Sequence, residues 1–154
     1  MTYVVRGLDP ARYRPLFGMP DDELSQQGVV RMTVDDPTYP CRVSLTDRAI
    51  GETVLLVNHV SHDVANPYRA SHAIFVTEAE ETAAEYIDQV PPVFEQRVLS
   101  LRGFDADGMM AYAILTQPGE ADAGIRRLFA NPAIETIHAH NATRGCFSAK
   151  IERA

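Results

Sequence analysis

The chain is poor in cysteine and in basic side chains, and it has no long apolar run. Two cysteines in 154 residues, Cys41 and Cys146, are too few for a disulfide framework. A bridge between them would close a long loop and stabilise by about 4 to 5 kcal/mol in the chain-entropy model. A reducing cytoplasm opposes such a bridge, so two free thiols are expected. Fourteen Lys and Arg against 21 Asp and Glu leave a formal charge of −7, with no basic patch of the kind that nucleic-acid binding draws on. No apolar stretch approaches bilayer-spanning length, and Met1-Thr2-Tyr3-Val4-Val5-Arg6 lacks the basic region and apolar core of a secretion signal. No nucleic acid, no membrane and a cytoplasmic location are therefore the expectations. Internal repeats, low-complexity tracts and long linkers are also missing, and 45% hydrophobic residues suffice for a core. A single globular domain over residues 1–154 is expected.

What is present is a sequence of strand-length runs broken by turn residues and a few helix signals. Tyr3 to Gly7 reads as a strand, and Asp9-Pro10 and Asp21-Asp22-Glu23-Leu24 open short helices that end by Gly28. Strands are expected at Val29 to Val34, Cys41 to Leu45, Glu52 to Val60 and His72 to Thr77. The Glu52 to Val60 run is apolar at both parities near its centre, which predicts a central strand. Glu78 to Asp88 has helical spacing and stops before Pro91-Pro92, predicting a surface helix. Val98 to Phe104 and Met109 to Thr116 flank Asp105-Ala106-Asp107-Gly108 as a hairpin, and Glu120 to Ala130 reads as an amphipathic helix. Ile134 to His140 and Cys146 to Glu152 close the chain as a second hairpin. The fold class that follows is α+β, a largely antiparallel sheet with two to four short helices and a C-terminal β-hairpin.

Chemistry-bearing residues concentrate in that last hairpin. Alternation sets Ile137 and Ala139 on one face and His138 and His140 on the other. Matching like faces predicts a register with His140 across from Cys146 and His138 across from Ser148. Such a patch offers a thiol activated by a neighbouring imidazole. Its plain alternative is packing and hydrogen bonding. A His-x-His pair with one cysteine is an incomplete metal set, so no metal is expected.

Cys41 falls on the apolar side of its run and reads as core. Arg42, and Arg102 in Leu101-Arg102-Gly103, are arginines embedded in apolar strands and need partners. With 21 acidic residues available, an internal carboxylate is the expected partner and an anionic ligand group the alternative. Tyr68 and Arg69 lie on the irregular segment Ser61 to Ser71, where a phenol and a guanidinium are available to a site. His59, His62 and His72 flank that segment, although His59-x-x-His62 spacing in extended chain does not by itself bring the rings together.

Taken in order, Pro40-Cys41-Arg42-Val43-Ser44-Leu45, Gly51-Glu52-Thr53-Val54-Leu55-Leu56, Pro67-Tyr68-Arg69, Leu99 to Asp105, His138-Ala139-His140-Asn141-Ala142 and Gly145-Cys146-Phe147 resemble the block pattern of the uncharacterised family called domain of unknown function 1203. The resemblance spans nearly the whole chain. It implies a small stand-alone bacterial protein and brings no activity or cofactor with it. Where the family pattern has Gly-Pro before the Ile-Phe-Val strand, this chain has His72-Ala73.

The function expected is binding of a small polar or anionic molecule near the His138 to Cys146 hairpin, with Arg42, Tyr68, Arg69, Arg102 and Asn141 as binding residues and no cofactor. One alternative is an enzyme with Cys146 as nucleophile and His140 or His138 as base. Another is a structural or protein-interaction domain without a ligand.

Overall fold

Runs rich in β-branched and aromatic residues pair into two antiparallel sheets in the computed structural model, which describes residues 1–154. Strands β1 (Tyr3–Arg6), β5 (Glu85–Ile87), β6 (Leu99–Phe104), β7 (Met110–Thr116), β8 (Thr136–Asn141) and β9 (Phe147–Arg153) form a six-stranded sheet in the order β5-β1-β9-β8-β6-β7. Strands β2 (Val30–Thr33), β3 (Thr53–His62) and β4 (Ala70–Thr77) form a three-stranded sheet with β3 in the middle. Helices α1 (Asp21–Gln26), α2 (Pro92–Glu95) and α3 (Ala121–Phe129) are short, and two 3₁₀ turns follow β1. The fold is α+β, with β8 and β9 as the C-terminal hairpin, and no helix is long and apolar enough to cross a membrane.

Each sheet has its own core. Leu99, Leu101, Ile137, Ala139, Ala149 and Ile151 face one side of the six-stranded sheet and pack under Val93 and Phe94 of α2 and Ile125, Leu128 and Phe129 of α3. The second core joins Leu55, Val57, Ile74 and Val76 of the small sheet to Tyr13, Leu24, Cys41 and Val43. At about 25 cal/mol per Å² of apolar surface removed from water, these two clusters are the main stabilisers of the fold. Cys41 is wholly buried in the second, as its alternation predicts.

The expected helix over Glu78 to Asp88 does not form. Glu85–Ile87 pair with β1 instead, and Gly7 N donates to Ala84 O and Ala84 N to Val43 O. Pairing satisfies the β1 edge and packs Tyr86 against the first core, a tertiary gain larger than the fraction of a kcal/mol by which local propensity favours a helix.

Cys41 to Leu45 is also not a strand. Pro40 and Cys41 make isolated bridges to Asp47 and Phe75, and the chain then turns, with Leu45 N bonded to Cys41 O and Leu45 left-handed at φ 56°. The turn delivers Val43 to one core and Leu45 to the other, which a straight strand cannot do.

In the C-terminal hairpin the predicted register is replaced. Asn141, not His140, stands opposite Cys146, with Asn141 N donating to Cys146 O at 2.9 Å, and Gly145 at φ 77° completes the turn. His140 pairs with Phe147, the ladder skips Ser148, and His138 pairs with Lys150. An even-numbered loop and a bulge displace the register. Paired residues share a face, so Cys146 lies with Asn141, opposite to His140 and Phe147.

Candidate functional site: a histidine seam between the sheets

All five histidines of the chain meet where the outer ends of the two sheets come together. On the large sheet, Ser100, Arg102 and Phe104 of β6 stand across from His140, His138 and Thr136 of β8, so the two histidines share a face with Arg102. On the small sheet, His59 pairs with His72. In regular strand the step of three from His59 to His62 is odd, which puts them on opposite faces. The ladder skips Ser61, however, and His62 pairs with Ala70, which restores it to the face of His59 and His72.

The rings interlock. His62 meets His138 edge-on at 5.1 Å between centroids, His72 meets His140 at 4.8 Å, and His138 lies 6.5 Å from His140. Phe104 and Phe147 fill the spaces between them, Phe147 touching His59, His138 and His140. Four side-chain bonds fix the outer atoms: His62 Nε2 to Gly108 O at 2.8 Å, His140 Nδ1 to Gly145 O at 2.9 Å, His72 Nδ1 with Ser61 Oγ at 2.9 Å, and His59 Nδ1 with Arg12 at 3.3 Å. No three His, Cys, Asp or Glu side chains group in a way that would hold a metal ion.

Burial favours the neutral form of His59, His72, His138 and His140. It pushes His138 down to about 3, with His62, His140, Lys150 and Arg102 adding cationic repulsion. His59 and His140 are pushed down to about 4, again by burial first and then by neighbouring cations, with the bond to Gly145 O partly opposing the shift at His140. His72 is lowered for the same reasons.

Against the seam opens a cleft of about 230 Å³, lined by Ser61, His62, Pro67, Tyr68, Arg69, Ala70, Arg102, Phe104, Met110, His138 and His140. The lining contains no carboxylate. Arg69 is paired with Asp63, while Arg102 meets only Ser100 Oγ at 3.2 Å. Several arginines elsewhere do have carboxylate partners, for instance Arg14 with Glu80, Arg31 with Glu78, Arg48 with Glu52, Arg97 with Asp47 and Arg126 with Asp122, and Arg153 rests on backbone carbonyls. Arg12, Arg42 and Arg102, which flank the histidines, pair with no carboxylate. The expectation of internal carboxylate partners for Arg42 and Arg102 is therefore wrong: Arg42 is held by carbonyls and a sulfur, and Arg102 by a serine hydroxyl.

The residues singled out in the sequence divide into two groups. Tyr68, Arg69, Arg102, His138 and His140 line the cleft, joined by His62, whose participation the strand parity had hidden. Arg42, Cys146 and Asn141 gather separately behind the hairpin turn, with Arg42 Nη2 at 3.3 Å and Asn141 Nδ2 at 3.5 Å from Cys146 Sγ. The sulfur bonds to neither histidine, and His140 Nδ1 is committed to Gly145 O.

No curated protein and no solved structure gives a significant match to the chain. A model for a protein of unknown function, DUF1203, matches residues 38–153. That span holds all five histidines, Arg42, Tyr68, Arg69, Arg102, Asn141 and both cysteines, and the chain belongs to this family.

Proposed function

We propose that the chain is a bacterial cytoplasmic protein that binds a small anionic or polar molecule in the cleft between the Tyr68-Arg69 loop and Arg102. The observation that carries the reading is an arginine without a carboxylate, in a cleft without a carboxylate, on a chain of net charge −7. A cation in such a place favours an anionic group that it can bind through paired N–H donors. The cleft volume lies below the roughly 300 to 1,000 Å³ typical of drug-sized ligands, which points to a metabolite of few atoms. Tyr68, Ser61 and the histidines supply neutral hydrogen-bonding groups around the charge. In neutral His140 the proton sits on Nδ1, which donates to Gly145 O, and leaves Nε2 bare. A bound anion favours the imidazolium, so binding tightens as pH falls.

Thermal unfolding with and without inorganic phosphate, acetate or succinate tests the reading. At least one of these probes raises Tm by about 3 °C or more at millimolar concentration, and more at pH 6 than at pH 8. Arg102→Met keeps the fold and loses the shift. No response to any of the three anions, or an unchanged shift in Arg102→Met, would reject the cleft as an anion site.

A further inference from the structure

Arg42 is 2% exposed and carries its charge into a place with no carboxylate. Its Nε donates to Phe147 O at 2.9 Å and its Nη1 to Pro40 O at 2.7 Å, so two of its three nitrogens rest on uncharged carbonyls. The third, Nη2, donates to Cys146 Sγ at 3.3 Å. A guanidinium stays protonated under ordinary conditions, and a buried cation favours acceptors and negative charge beside it. Cys146 Sγ is the ionisable atom in hydrogen-bond contact with it. Cys146 is a partly exposed residue, whereas Cys41 is closed in the second core.

A second observation concerns Asn141, the other side chain in contact with the sulfur. Asn141 is nine-tenths buried and its Nδ2 is 3.5 Å from Sγ, yet its Oδ1 is buried without any donor. An orphan acceptor of this kind is open to a donor other than the chain itself, a water or a group carried on a neighbouring atom. A hydroxyl carried on Sγ is a donor of the class it lacks.

We propose that Cys146 is a peroxide-reactive thiol, with Arg42 as its counter-cation and Asn141 as the acceptor for the hydroxyl of the sulfenic acid formed. In the step, the Cys146 thiolate attacks one oxygen of a hydroperoxide. An S–O bond forms as the O–O bond breaks, sulfur is oxidised by two electrons, and the peroxide is reduced to one hydroxide or alkoxide, which takes a proton from solvent. Arg42 stabilises the attacking anion, in place of the His140 or His138 expected from the sequence. The site stands apart from the anion cleft and does not depend on it.

The native full-length chain is treated with hydrogen peroxide at pH 7 in the presence of dimedone, and adducts are mapped by peptide mass. The adduct forms at Cys146 and not at Cys41, at least ten-fold faster than at Cys146 of the urea-unfolded chain. Arg42→Met slows it ten-fold or more while Arg42→Lys slows it less, and Asn141→Ala shortens the lifetime of the sulfenic acid. Should Arg42→Met fail to fold, the comparison of native with unfolded chain decides alone. A native rate no higher than the unfolded one overturns the proposal, as does a folded Arg42→Met that reacts like the parent.

Discussion

Phe147 is the residue on which the histidine seam turns. Its ring touches three imidazoles and is itself 2% exposed. Truncation removes aromatic surface and leaves a cavity bordered by ring nitrogens, into which water enters. Phe147→Ala is therefore expected to cost about 3 to 5 kcal/mol in urea unfolding. It also relaxes the burial that holds His138 and His140 low, so both imidazoles titrate nearer their ordinary value of 6.5 in a proton NMR titration. A stability loss with both titrations unchanged would mean that Phe147 contributes packing without setting the dryness of the seam. His138 was legible as a strand residue facing His140, but its neutrality was not, because that depends on His62 and Phe104 arriving from distant parts of the chain.

Among the elements, bulges and one close approach build the site. Skipped residues at Ser61 and Ser148 return His62 to the face of its fellow histidines and place Phe147 opposite His140. Without them, strict alternation scatters these side chains over both faces. The turn that holds Arg42 is clamped by Gly7, where a Cβ would sit 1.9 Å from Val43 O and 2.9 Å from Ala84 N. Leu8 N donates to Arg42 O at 2.8 Å beside it, so β1, the Arg42 turn and the segment leading into β5 close together on this glycine. Gly7→Ala pushes backbone against backbone, which cannot repack as a side chain can. It is expected to lower stability by about 2 kcal/mol or more, with a matching fall in urea midpoint. An unchanged midpoint would show that the clamp yields freely.

For the whole molecule, the buried neutral histidines make stability depend on pH. His59, His138 and His140 have folded pKa values of about 4, about 3 and about 4, against 6.5 in the unfolded chain. Because the unfolded state binds these protons more readily, their contribution is fully present above pH 6.5 and is lost progressively as pH falls toward their folded values. At pH 5 each costs about 2 kcal/mol relative to neutral pH, at about 1.4 kcal/mol per pKa unit. Three together approach the whole stability of a typical domain, about 5 to 15 kcal/mol. Urea unfolding followed from pH 7.5 to pH 5 should show this loss before the carboxylates titrate. A flat profile over that range would mean that the histidines are already charged, or free to charge, in the folded chain.

The sequence by itself determined the fold class, the β6–β7 hairpin, the amphipathic α3, the central place of β3 in its sheet and the burial of Cys41. All of these rest on local periodicity and turn chemistry, which act over a few residues. It also singled out most of the residues that now divide between the cleft and the Arg42 turn. Tertiary structure decided how they combine. Strand pairing with β1 overrode the helical pattern of Glu78 to Asp88, and bridges to Phe75 and Asp47 folded the Cys41 run into a turn. Two bulges set which histidines meet, the one in the C-terminal hairpin, with its even-numbered loop, separated Cys146 from His140, and the turn after Cys41 brought Arg42 to the sulfur. The physical reason is that a strand's faces follow from a count of two per repeat. One extra residue inverts every face beyond it, and whether that residue is accommodated depends on the partner strand and the core beneath it.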